Sequence, residues 1–507
     1  MKIIAYDLGT GGIKASLHNE RGDSLLTTFI AYDTFYPQNK YHEQRPSDWW
    51  DGVCRSTRLI LEKSGTKANE IEALALSGHS LVAAPIGRNG ELLLEQVPIW
   101  SDTRAEKEAS DFFHEIPYDD WYHCTGNGDP AECYSIMKLM WMKRNQPEIF
   151  SKTRYVLGSK DYINYRLTGN FFTDQSYASG TGAFNLRENT YNDSYIEAAQ
   201  LPKDIFPPIL PSHGLVGRVT MQAALETGLS EGTLVACGGV DNSCMALGAC
   251  GTGDGKIYTS LGSSCWIAVT SKQPIIDDGL HPFIFSHIEE GYYTSGMSIF
   301  SGGNSYRWVR DQFYKDIPTD SDAFALMDRM AAQAPAGSNG VLFNPSLGGG
   351  SAQEKSPNIR GAYMGLSLST TRDDLTRATM EGISMNLRLL LDGFSRYLTL
   401  DGEMLLCGGG SKSQFWRQLF ADIYNKKIIK TNIDQNAASL GAAAIAAKCC
   451  GMWTDYSGIQ ALHEVQSIEI PHEESNKTYE KLLVHFRECS DFLAELGDKM
   501  AKPITMG

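Results

Sequence analysis

The stretch Lys2-Ile-Ile-Ala-Tyr6, followed by Asp7-Leu-Gly-Thr-Gly-Gly12, decides the fold class of this chain. A β-branched apolar run that stops at a glycine-rich turn and resumes at Ile13–Leu17 is typical of a β-hairpin. The same order of residue types returns at Lys256–Val269, offset by 253 residues, which is half the chain. Repetition at half-length predicts two similar domains, each with a hairpin turn. A chance match of two short Gly/Ser turns is the alternative, and this pair of turns favours neither.

Two further junctions between a strand and a glycine turn support a ligand cleft. Leu234–Cys237 runs into Gly238-Gly-Val-Asp-Asn242, and Met404–Cys407 runs into Gly408-Gly-Gly-Ser411. Short β-branched runs also alternate with longer helical patterns throughout the chain. An α/β fold class is therefore expected.

The helical patterns carry capping signals. Ser413 precedes apolar residues spaced four apart and is a predicted N-cap. Thr371-Arg-Asp-Asp374 resembles a capping box at the start of a long amphipathic helix. The predicted buried stripe of that helix is Leu375, Ile383, Leu387, Leu391 and Phe394. A long loop is predicted over 337–358, and a polar packing helix is predicted after Trp453.

Length and charge limit the possible functions. A chain of 507 residues is too long for one core, and about 150 residues per domain gives roughly two to four domains. A hydrophobic fraction of 42% and a charged fraction of 21% exclude a disordered or fibrous chain. The net charge of −15 disfavours a wide basic surface for nucleic acid or anionic lipid. Any polyanionic ligand must be held locally, by backbone N–H groups, a metal ion and a few cations.

Cysteines and apolar runs indicate the compartment. The eleven cysteines have no CxxC pair and no zinc-like spacing, so they are predicted to be buried and reduced. Asp7 interrupts the first apolar stretch, so no signal peptide is expected. The apolar run Ala437–Ala447 is too short to span a bilayer. A soluble, cytoplasmic protein without nucleic-acid or membrane partners is expected.

Two carboxylates stand at the strand–turn junctions. The glycines after Asp7 bring backbone N–H groups towards an anion, Thr10 adds a hydroxyl, Lys14 adds a cation, and Asp7 suits a hydrated Mg²⁺. The alternative is a tight hairpin in which Asp7 bonds its own turn. Asp241 follows a buried strand at the edge where α/β clefts form, and it is suited to accept the proton of an attacking hydroxyl. The alternative for Asp241 is to cap the helix that begins at Asn242.

One glycine-rich segment is set aside. Gly251–Lys256 resembles a Walker A loop, but Cys250 and Ile257 occupy the wrong places, and its third glycine comes one residue too early for a GxGxxG fingerprint. A turn before the second hairpin is predicted there.

The ordered motifs of this chain resemble those of the FGGY family of carbohydrate kinases. Gly361–Leu366, followed by Asp374-Leu375 and Ala378–Glu381, satisfies the family's C-terminal signature. Ser135–Asn145 matches the N-terminal signature, from which only Cys133 departs.

Four shorter motifs occur in the family's order, and the resemblance spans about residues 2 to 450. These motifs are Asp7–Thr10, Trp100–Arg104, Gly239–Asn242 and Gly408–Ser413.

The resemblance implies an actin-like, ribonuclease-H-like α/β fold, in which two domains flank a cleft for Mg-ATP and a sugar. It places an N-terminal domain at 1–246, a C-terminal domain at 247–450 and a helical extension that packs on the C-terminal domain at 451–507. The oligomeric state is left open, with a homodimer as the assembly considered.

Residue roles follow from the same resemblance. Asp241 is similar to the family's catalytic base, and Asp7 to the carboxylate that orients Mg²⁺. The implied ATP contacts are Thr10, Gly11, Gly12, Lys14, Ser263, Ser264, Gly303, Gly409, Gly410 and Ser413.

The sugar pocket follows no single subgroup of the family. Where xylulokinases carry Gln-Met-His-Gly, this chain reads His79-Ser80-Leu81-Val82, and the Arg and Glu of glycerol kinases are also missing. The segment His42–Trp50 resembles xylulokinases, whereas Cys265 resembles glycerol kinases. The predicted substrate contacts are His79, Ser80, Trp100, Asp102, Asp241 and Asn242. The alternatives are that His79 is a histidine at a strand end whose hydrogen bonds are all made within the protein, that Trp100 packs in the core, and that Asn242 starts a helix.

The leading hypothesis is an ATP-dependent kinase of a small ketose or polyol, such as xylulose. A kinase of gluconate, glycerol, erythritol or a deoxyketose is the alternative within the family. A non-catalytic sugar- or nucleotide-sensing protein is a different class, and the retention of Asp7, Asp241 and both phosphate turns argues against it. An actin- or chaperone-like ATPase is disfavoured by the intact family signatures.

Overall fold

The computed structural model describes residues 1–317, 322–434 and 436–502, and the chain forms two compact units. The first unit contains Met1–Asp254, Thr270–Ser295 and Asn436–Leu462, and the second contains Gly255–Val269, Gly296–Gln435 and His463–Gly507. The predicted domain limits of 1–246, 247–450 and 451–507 are continuous segments, whereas the units are assembled from several segments, so those limits stay a prediction. The last five residues of the predicted extension lie outside the described residues.

The strands are numbered along the chain. The first fifteen are β1 (Lys2–Gly9), β2 (Gly12–Asn19), β3 (Ser24–Ala31), β4 (Glu43–Gln44), β5 (Ile71–Gly78), β6 (Ala84–Gly87), β7 (Val97–Pro98), β8 (Thr153–Leu157), β9 (Thr173–Asp174), β10 (Phe184–Asn185), β11 (Thr190–Tyr191), β12 (Ile209–Leu210), β13 (Leu215–Arg218), β14 (Leu234–Ala236) and β15 (Gly239–Val240). The remaining strands are β16 (Lys256–Leu261), β17 (Cys265–Ser271), β18 (Phe283–Ser286), β19 (Tyr293–Ile299), β20 (Leu342–Asn344), β21 (Ala362–Met364), β22 (Glu403–Cys407), β23 (Lys427–Thr431) and β24 (Val465–Glu469).

The α-helices are numbered in the same way. They are α1 (Pro46–Ser64), α2 (Glu106–Phe113), α3 (Tyr118–Thr125), α4 (Ser135–Asn145), α5 (Pro147–Lys152), α6 (Ser159–Thr168), α7 (Gln175–Ala178), α8 (Asp193–Ala198), α9 (Met221–Thr227), α10 (Asp241–Cys250), α11 (Gly302–Phe313), α12 (Ala323–Ala331), α13 (Arg372–Phe394), α14 (Gln414–Tyr424), α15 (Ala437–Cys449) and α16 (Glu473–Ala501). Among the described helices, none combines the length and the apolar character needed to cross a lipid bilayer.

A mixed sheet forms the centre of the first unit. Its strand order is β13-β14-β5-β1-β2-β3, and β15 also pairs with β5. The predicted first hairpin is confirmed, since β1 and β2 pair antiparallel up to Gly9 opposite Gly12. β1 and β14 both run parallel to β5. The nearly continuous apolar sequence of β1 follows from its central place, because a strand covered on both faces has no solvated side.

Helix α15 completes the core of the first unit. The apolar run predicted to be too short for a membrane forms this helix, and Ala437–Ala447 are all buried. α15 packs against α10, β1 and β5, all in the same unit. A helix that is apolar all round is expected where no face meets water.

The second unit repeats this pattern of strands. Its order is β19-β17-β16-β22-β23-β24, and the predicted second hairpin is formed by β16 and β17. β16 runs parallel to β22, and β22 runs parallel to β23. α16 packs against α13, α14 and β20 of this unit.

The predicted caps of the second unit are confirmed. Thr371 Oγ1 accepts a hydrogen bond from the Asp374 N–H, and the Asp374 carboxylate accepts one from the Thr371 N–H, so α13 begins with a capping box. Ser413 Oγ accepts from the Trp416 N–H at 3.0 Å and caps α14. Four residues of the predicted α13 stripe are buried, whereas Leu375 is partly exposed.

Three sequence predictions are corrected. The segment 337–358 is not wholly a loop, because it contains β20, which pairs with β21 just beyond the segment. The tail after Trp453 is not wholly helical, because β24 adds to the edge of the sheet beside β23. All eleven cysteines are free thiols, but six are partly exposed and only Cys133, Cys237, Cys244, Cys265 and Cys407 are buried. Cys449 and Cys450, for example, lie at the end of α15, where the helix leaves the core.

Candidate active site

Two predicted site carboxylates lie at the same end of the strands in the first sheet. β1 and β15 both run parallel to β5, with Asp7 opposite Ser77 and Val240 opposite Gly78. Asp7 therefore lies near the end of β1, and Asp241 begins α10 directly after β15. The carboxyl ends of parallel strands are where α/β folds bind ligands.

Burial raises the pKa values of both carboxyl groups, and repulsion from Asp7 adds to the rise for Asp241. Burial raises the pKa of Asp7, and the nearby Lys14 and a hydrogen bond from Ser77 Oγ at 3.0 Å oppose that rise. Burial and the Asp7 charge raise the pKa of Asp241 to about 7, although the Asn242 N–H, 2.8 Å from Asp241 Oδ1, favours the ionised form. A carboxyl group with a pKa near neutrality is suited to general-base catalysis.

The geometry disfavours the alternative roles of Asp7 and Asp241. The N-cap of α10 is Val240 and Asp241 is the first helical residue, so Asp241 does not occupy the N-cap position. Asp7 accepts its hydrogen bond from Ser77 on β5 rather than from its own turn. Asn242 is the second residue of α10 and is partly exposed beside Asp241.

The turn between β1 and β2 is held by side chains from distant parts of the first unit. Tyr32 donates to the Gly9 carbonyl at 2.5 Å, and Gln44 donates to the Thr10 carbonyl at 2.7 Å. Trp100 Nε1 donates to Thr10 Oγ1 at 2.9 Å. A Cβ atom added at Gly11 would meet no atom within 4 Å, so the tip of the turn is open to a ligand.

The predicted sugar contacts beside β5 are buried. His79 Nδ1 lies 3.2 Å from the Leu8 carbonyl oxygen, and its ring packs edge-on to Trp49. Burial lowers the pKa of His79 to about 4, so the ring is neutral at physiological pH. Among the described residues, His79 Nε2 has no hydrogen-bond partner. The imidazole is therefore only half satisfied, and one nitrogen can still bond a hydroxyl. Ser80 is 8% exposed.

Trp100 and Asp102 have different environments. The Trp100 side chain is 43% exposed, which excludes the alternative of a core tryptophan. Asp102 is fully buried, and its carboxylate accepts hydrogen bonds from the His42 N–H at 2.7 Å and from Arg104 Nε at 2.8 Å. Asp102 holds its own loop in place, and a direct sugar contact through it stays a prediction.

Sequence reasoning did not single out Lys138, which joins two segments of the predicted sugar pocket. Its fully buried Nζ donates to the Leu81 carbonyl at 2.8 Å and to the Ile99 carbonyl at 2.6 Å. Burial lowers the pKa of Lys138 to about 8. The available signal was a lysine between Met137 and Leu139 on the buried side of α4, where a charge needs partners.

A cavity of about 590 Å³ in the second unit contains five of the predicted ATP contacts. Those five are Ser263, Gly303, Gly409, Gly410 and Ser413, whereas Ser264 lies in the adjoining turn and is exposed. Residues that the sequence reasoning missed complete the wall; they include Tyr306, Arg307, Asp322, Phe324, Asp328 and Lys412. A cavity lined by glycines, hydroxyls, aromatic rings and two cations suits a nucleotide.

The N-terminus of α11 supports the second turn. The Gly303 N–H donates to the Gly262 carbonyl at 3.1 Å, and the Asn304 N–H donates to the Ser263 carbonyl at 2.9 Å. A Cβ atom added at Gly303 would lie 2.1 Å from the Gly262 oxygen, so only glycine allows this approach. Arg307 Nη2 lies 3.4 Å from Ser263 Oγ and adds a positive charge beside the turn.

Comparison with protein-family models matches both halves of the chain. Residues 2–248 match the N-terminal domain of the FGGY family of carbohydrate kinases, and residues 257–450 match its C-terminal domain.

Known proteins of similar sequence and structure cover most of the chain. The xylulose kinase of Bacillus subtilis (strain 168) is 30% identical over 448 residues, which are 88% of this chain and 87% of that protein. The gluconokinase of the same strain is 26% identical over 500 residues, covering 97% of this chain and 96% of that protein. The crystal structure of ligand-bound xylulose kinase from Lactobacillus acidophilus superposes with a TM-score of 0.90 at 26% identity, covering 99% of this chain and all of that one.

Proposed function

Because this chain belongs to the FGGY family of carbohydrate kinases, we propose that it transfers the γ-phosphoryl group of ATP to a ketopentose such as xylulose, or to a related ketose or polyol. Asp241 is the general base of this proposal. The expected actin-like, ribonuclease-H-like fold is confirmed by the family match and the structural similarity. Three points are proposals: which sugar is the substrate, that Asp241 is the base, and that Mg²⁺ is the metal ion.

The observation that carries the proposal is the pair of carboxylates at the ends of β1 and β15. The pKa of Asp241 is about 7 because its carboxyl group is desolvated and the charge of Asp7 is nearby, although the residue is partly exposed. A base with this pKa is ionised in a large fraction of molecules at neutral pH, yet it binds a proton more readily than an ordinary aspartate. These are the properties needed to activate a sugar hydroxyl.

The proposed step is an in-line displacement. Asp241 accepts the proton of the sugar hydroxyl as the hydroxyl oxygen bonds to the γ-phosphorus, and the bond from that phosphorus to the β,γ-bridging oxygen breaks to release ADP. The N–H groups of the first turn and Lys14 would contact phosphate oxygens, as glycine-rich turns do in other phosphate sites. The second-unit cavity, with Gly409 and Ser413 in its wall, would hold the adenosine part.

The residues around Asp7 fit a hydrated Mg²⁺. Among the described residues there is no group of three or more His, Cys, Asp or Glu side chains that could hold a metal ion by themselves. Mg²⁺ usually binds one or two carboxylates together with substrate phosphates, so Asp7 alone is a sufficient protein anchor. When bound, the ion would neutralise charge on the transferred phosphoryl group. A cation near Asp7 would also lessen the repulsion that raises the pKa of Asp241.

The charges of the predicted sugar contacts favour an uncharged substrate. His79 is neutral, Ser80 and Trp100 carry no charge, and Asp241 is acidic. The nearby Arg104 is committed to Asp102 and Glu43, at 2.6 Å from each. A sugar acid such as gluconate would lack a cation among these contacts, so a ketose or polyol is favoured over the gluconokinase type of substrate.

The test is an ADP-release assay with Mg-ATP and a panel of xylulose, ribulose, glycerol, erythritol and gluconate. We expect xylulose or another neutral sugar to stimulate ADP release most. Stimulation by gluconate alone would contradict the proposed substrate class. If no sugar in the panel stimulated release, the non-catalytic sensing alternative would replace the proposed reaction.

The base assignment is tested by Asp241→Asn, which should lower kcat by about 100-fold or more because general-base catalysis is lost. Asp193→Asn is the matched control, because Asp193 is also the first residue of a helix, α8, but its side chain is 67% exposed. The control should retain wild-type turnover. Wild-type turnover in Asp241→Asn would show that another group accepts the proton.

A further inference from the structure

A buried group of charges lies behind the strand end that carries Asp241, and the proposed step does not use it. Lys160, Asp161 and Asp174 form this buried ion cluster, and their side chains are at most 1% exposed. The Lys160 ammonium lies 2.5 Å from Asp161 Oδ1 and 3.0 Å from Asp174 Oδ1. Buried charges are costly unless further hydrogen bonds satisfy them, so the partners of this cluster indicate what it holds in place.

The hydrogen bonds of Asp174 lead to α7 and to a nearby loop. Asp174 Oδ2 accepts from the Ser176 N–H at 3.0 Å and from Ser212 Oγ at 2.7 Å. The Ser176 hydroxyl also donates to Asp174 Oδ2. Asp174 is thus the N-cap of α7, and it fixes the direction of the Ser176 hydroxyl.

The same hydroxyl reaches the backbone beside the catalytic base. The Val240 N–H donates to Ser176 Oγ at 2.9 Å. Lys160 Nζ donates to the Cys237 carbonyl at 3.2 Å, and Asn164 Nδ2 donates to that carbonyl at 2.8 Å. The segment Cys237–Val240 is therefore held at both ends, immediately before Asp241.

The bend inside this segment is already fixed by packing. Gly238 has φ +80°, and a Cβ atom there would lie 2.2 Å from the Leu76 carbonyl oxygen. The Gly238 N–H donates to the Ser212 carbonyl at 3.0 Å. The Val240 N–H is connected with the buried ion cluster through Ser176, whose hydroxyl accepts from Val240 and donates to Asp174.

We propose that Ser176, oriented by Asp174 and Lys160, is a positioning residue that fixes the Val240 backbone and so aims the Asp241 carboxylate at the sugar hydroxyl. This inference rests on the proposed role of Asp241 as general base. Proton transfer needs donor and acceptor within about 2.6–3.2 Å, and a displacement of about 1 Å at a reacting group can cost up to about 100-fold in rate. Ser176 itself does not touch the reacting atoms.

Ser176 acts on geometry rather than on proton affinity. The neighbouring charge that raises the pKa of Asp241 is Asp7, on the other strand end. Loss of the Ser176 hydroxyl should therefore change the rate of the step without moving the pH at which the base ionises. A change in Asp7 should move that pH. This difference separates a positioning residue from one that tunes the base.

The main test is Ser176→Ala in the full-length chain, assayed by ADP release with the panel sugar that the wild-type enzyme phosphorylates fastest. We expect kcat to fall about 10-fold, since the Val240 N–H loses its acceptor and the base is displaced. The KM for ATP should stay within about twofold, and the midpoint of the kcat/KM pH profile should stay where the wild type has it. A kcat within twofold of the wild type would overturn the proposal.

Ser179→Ala is the matched control. Ser179 is also fully buried; its Oγ donates to the Ser176 carbonyl at 2.7 Å and accepts from the Ser286 N–H at 3.1 Å. The Ser179→Ala variant loses the same atom from the same short segment, and the described hydrogen bonds of Ser179 Oγ go to Ser176 and Ser286 rather than to the strand before Asp241. Its kcat should stay within twofold of the wild type, and a loss equal to that of Ser176→Ala would indicate a general packing effect.

Ser176→Cys separates the hydrogen bond from the volume of the side chain. Sulfur fills the space of the hydroxyl oxygen, being somewhat larger, but it is a weak acceptor, so kcat should stay close to that of Ser176→Ala. Recovery of the wild-type kcat by the cysteine variant would overturn the proposal. If the alanine variant did not fold, as judged by its thermal unfolding midpoint, the cysteine variant would carry the test.

A double-variant cycle links the two residues. If Ser176 acts through Asp241, then Ser176→Ala should change the residual rate of Asp241→Asn by less than about twofold. A full additional loss in that background would contradict the proposal. The outcomes also distinguish the positioning proposal from the proposed function, because wild-type turnover in Asp241→Asn would contradict the base assignment itself. If the Asp241→Asn variant were inactive and the Ser176→Ala variant fully active, only the positioning role of Ser176 would be contradicted.

Discussion

The sheets of the two units share a strand pattern but differ in the charges at their turns. In the first unit, β1 is followed across the sheet by β5 and β14 in parallel and by β13 in the antiparallel direction. In the second unit, β16 is followed in the same way by β22, β23 and the antiparallel β24. The hairpin turns next to β1 and β16 therefore occupy equivalent places.

The residues at these equivalent places are not equivalent chemically. With the offset of 253 residues, Asp7 corresponds to Ser260, and Lys14 corresponds to Ile267. The first turn is held by side chains such as Gln44 and Tyr32, whereas backbone N–H groups of α11 hold the second. The repeated fold supplies two similar turns, and only the first carries the charges proposed for the reaction.

Asp7→Asn is the strongest test of this difference, and we expect kcat to fall about 100-fold because the proposed metal anchor is lost. The pH profile carries the sharper prediction. In the wild type, kcat/KM for Mg-ATP should rise as the pH passes through about 7, since this ratio reports the enzyme before the metal binds and the base must be ionised. Without the Asp7 charge, Asp241 ionises more easily, so the midpoint of the residual activity should move to lower pH.

The Asp193→Asn control should leave both kcat and this midpoint unchanged. An unchanged midpoint in Asp7→Asn would mean that burial alone sets the pKa of Asp241, and the two carboxylates would then not act as a pair.

Gly303→Ala tests the second turn. The added methyl group would overlap the Gly262 oxygen, and a strained contact of about 1–3 kcal/mol corresponds to a rise of about tenfold in the KM for ATP. The KM for the sugar should stay within twofold, because the Gly303 cavity and the predicted sugar contacts belong to different units. Steady-state kinetics with each substrate varied in turn gives both values.

Gly402→Ala is the control, since a Cβ atom there would meet nothing within 4 Å and Gly402 lies in the same unit. An equal rise in the KM for ATP in both variants would remove the second turn from the proposed nucleotide site.

Lys138→Met should have the smallest effect, a rise of about fivefold in the KM for the sugar. The change removes two hydrogen bonds that join the Leu81 and Ile99 backbones, each worth about 1 kcal/mol. kcat should change less than KM, because the base is elsewhere. Stability should fall as well, by about 1–3 kcal/mol, because the Leu81 and Ile99 carbonyls each lose the Lys138 donor.

Lys143→Met is the matched control on the same helix, where the lysine bonds the Gln200 carbonyl at an exposed position. A larger fall in kcat than rise in KM for Lys138→Met would show that Lys138 affects the reaction itself rather than the sugar pocket.

Features set by a few neighbouring residues could be predicted from the sequence. The hairpins, the capping box at Thr371 and the N-cap at Ser413 depend on short segments, and each is confirmed. The edge strand β24 was missed because its residues are stabilised by β23, a partner more than thirty residues away, and such pairing outweighs local propensity.

The same distinction applies to the candidate site. The motif positions of Asp7 and Asp241 predicted that they belong together, and the structure places both at one sheet edge. The partners of Lys138 and Ser176 come from remote segments, so no spacing in the sequence reveals them. Asp102 shows the converse, because its motif predicts a pocket residue while its own loop uses both carboxylate oxygens.

At α15 the chain returns to the first unit, and this return affects how the protein is synthesised and how it can be divided into fragments. α15 covers β1 and β5 of the first unit, yet most of the second unit precedes it in the sequence. During translation, the first unit cannot bury that face of its sheet until about residue 450 has left the ribosome. A fragment that stops near residue 250 would expose the β1–β5 surface to water, so it should aggregate or recruit chaperones. Adding Asn436–Leu462 as a separate peptide should rescue its solubility.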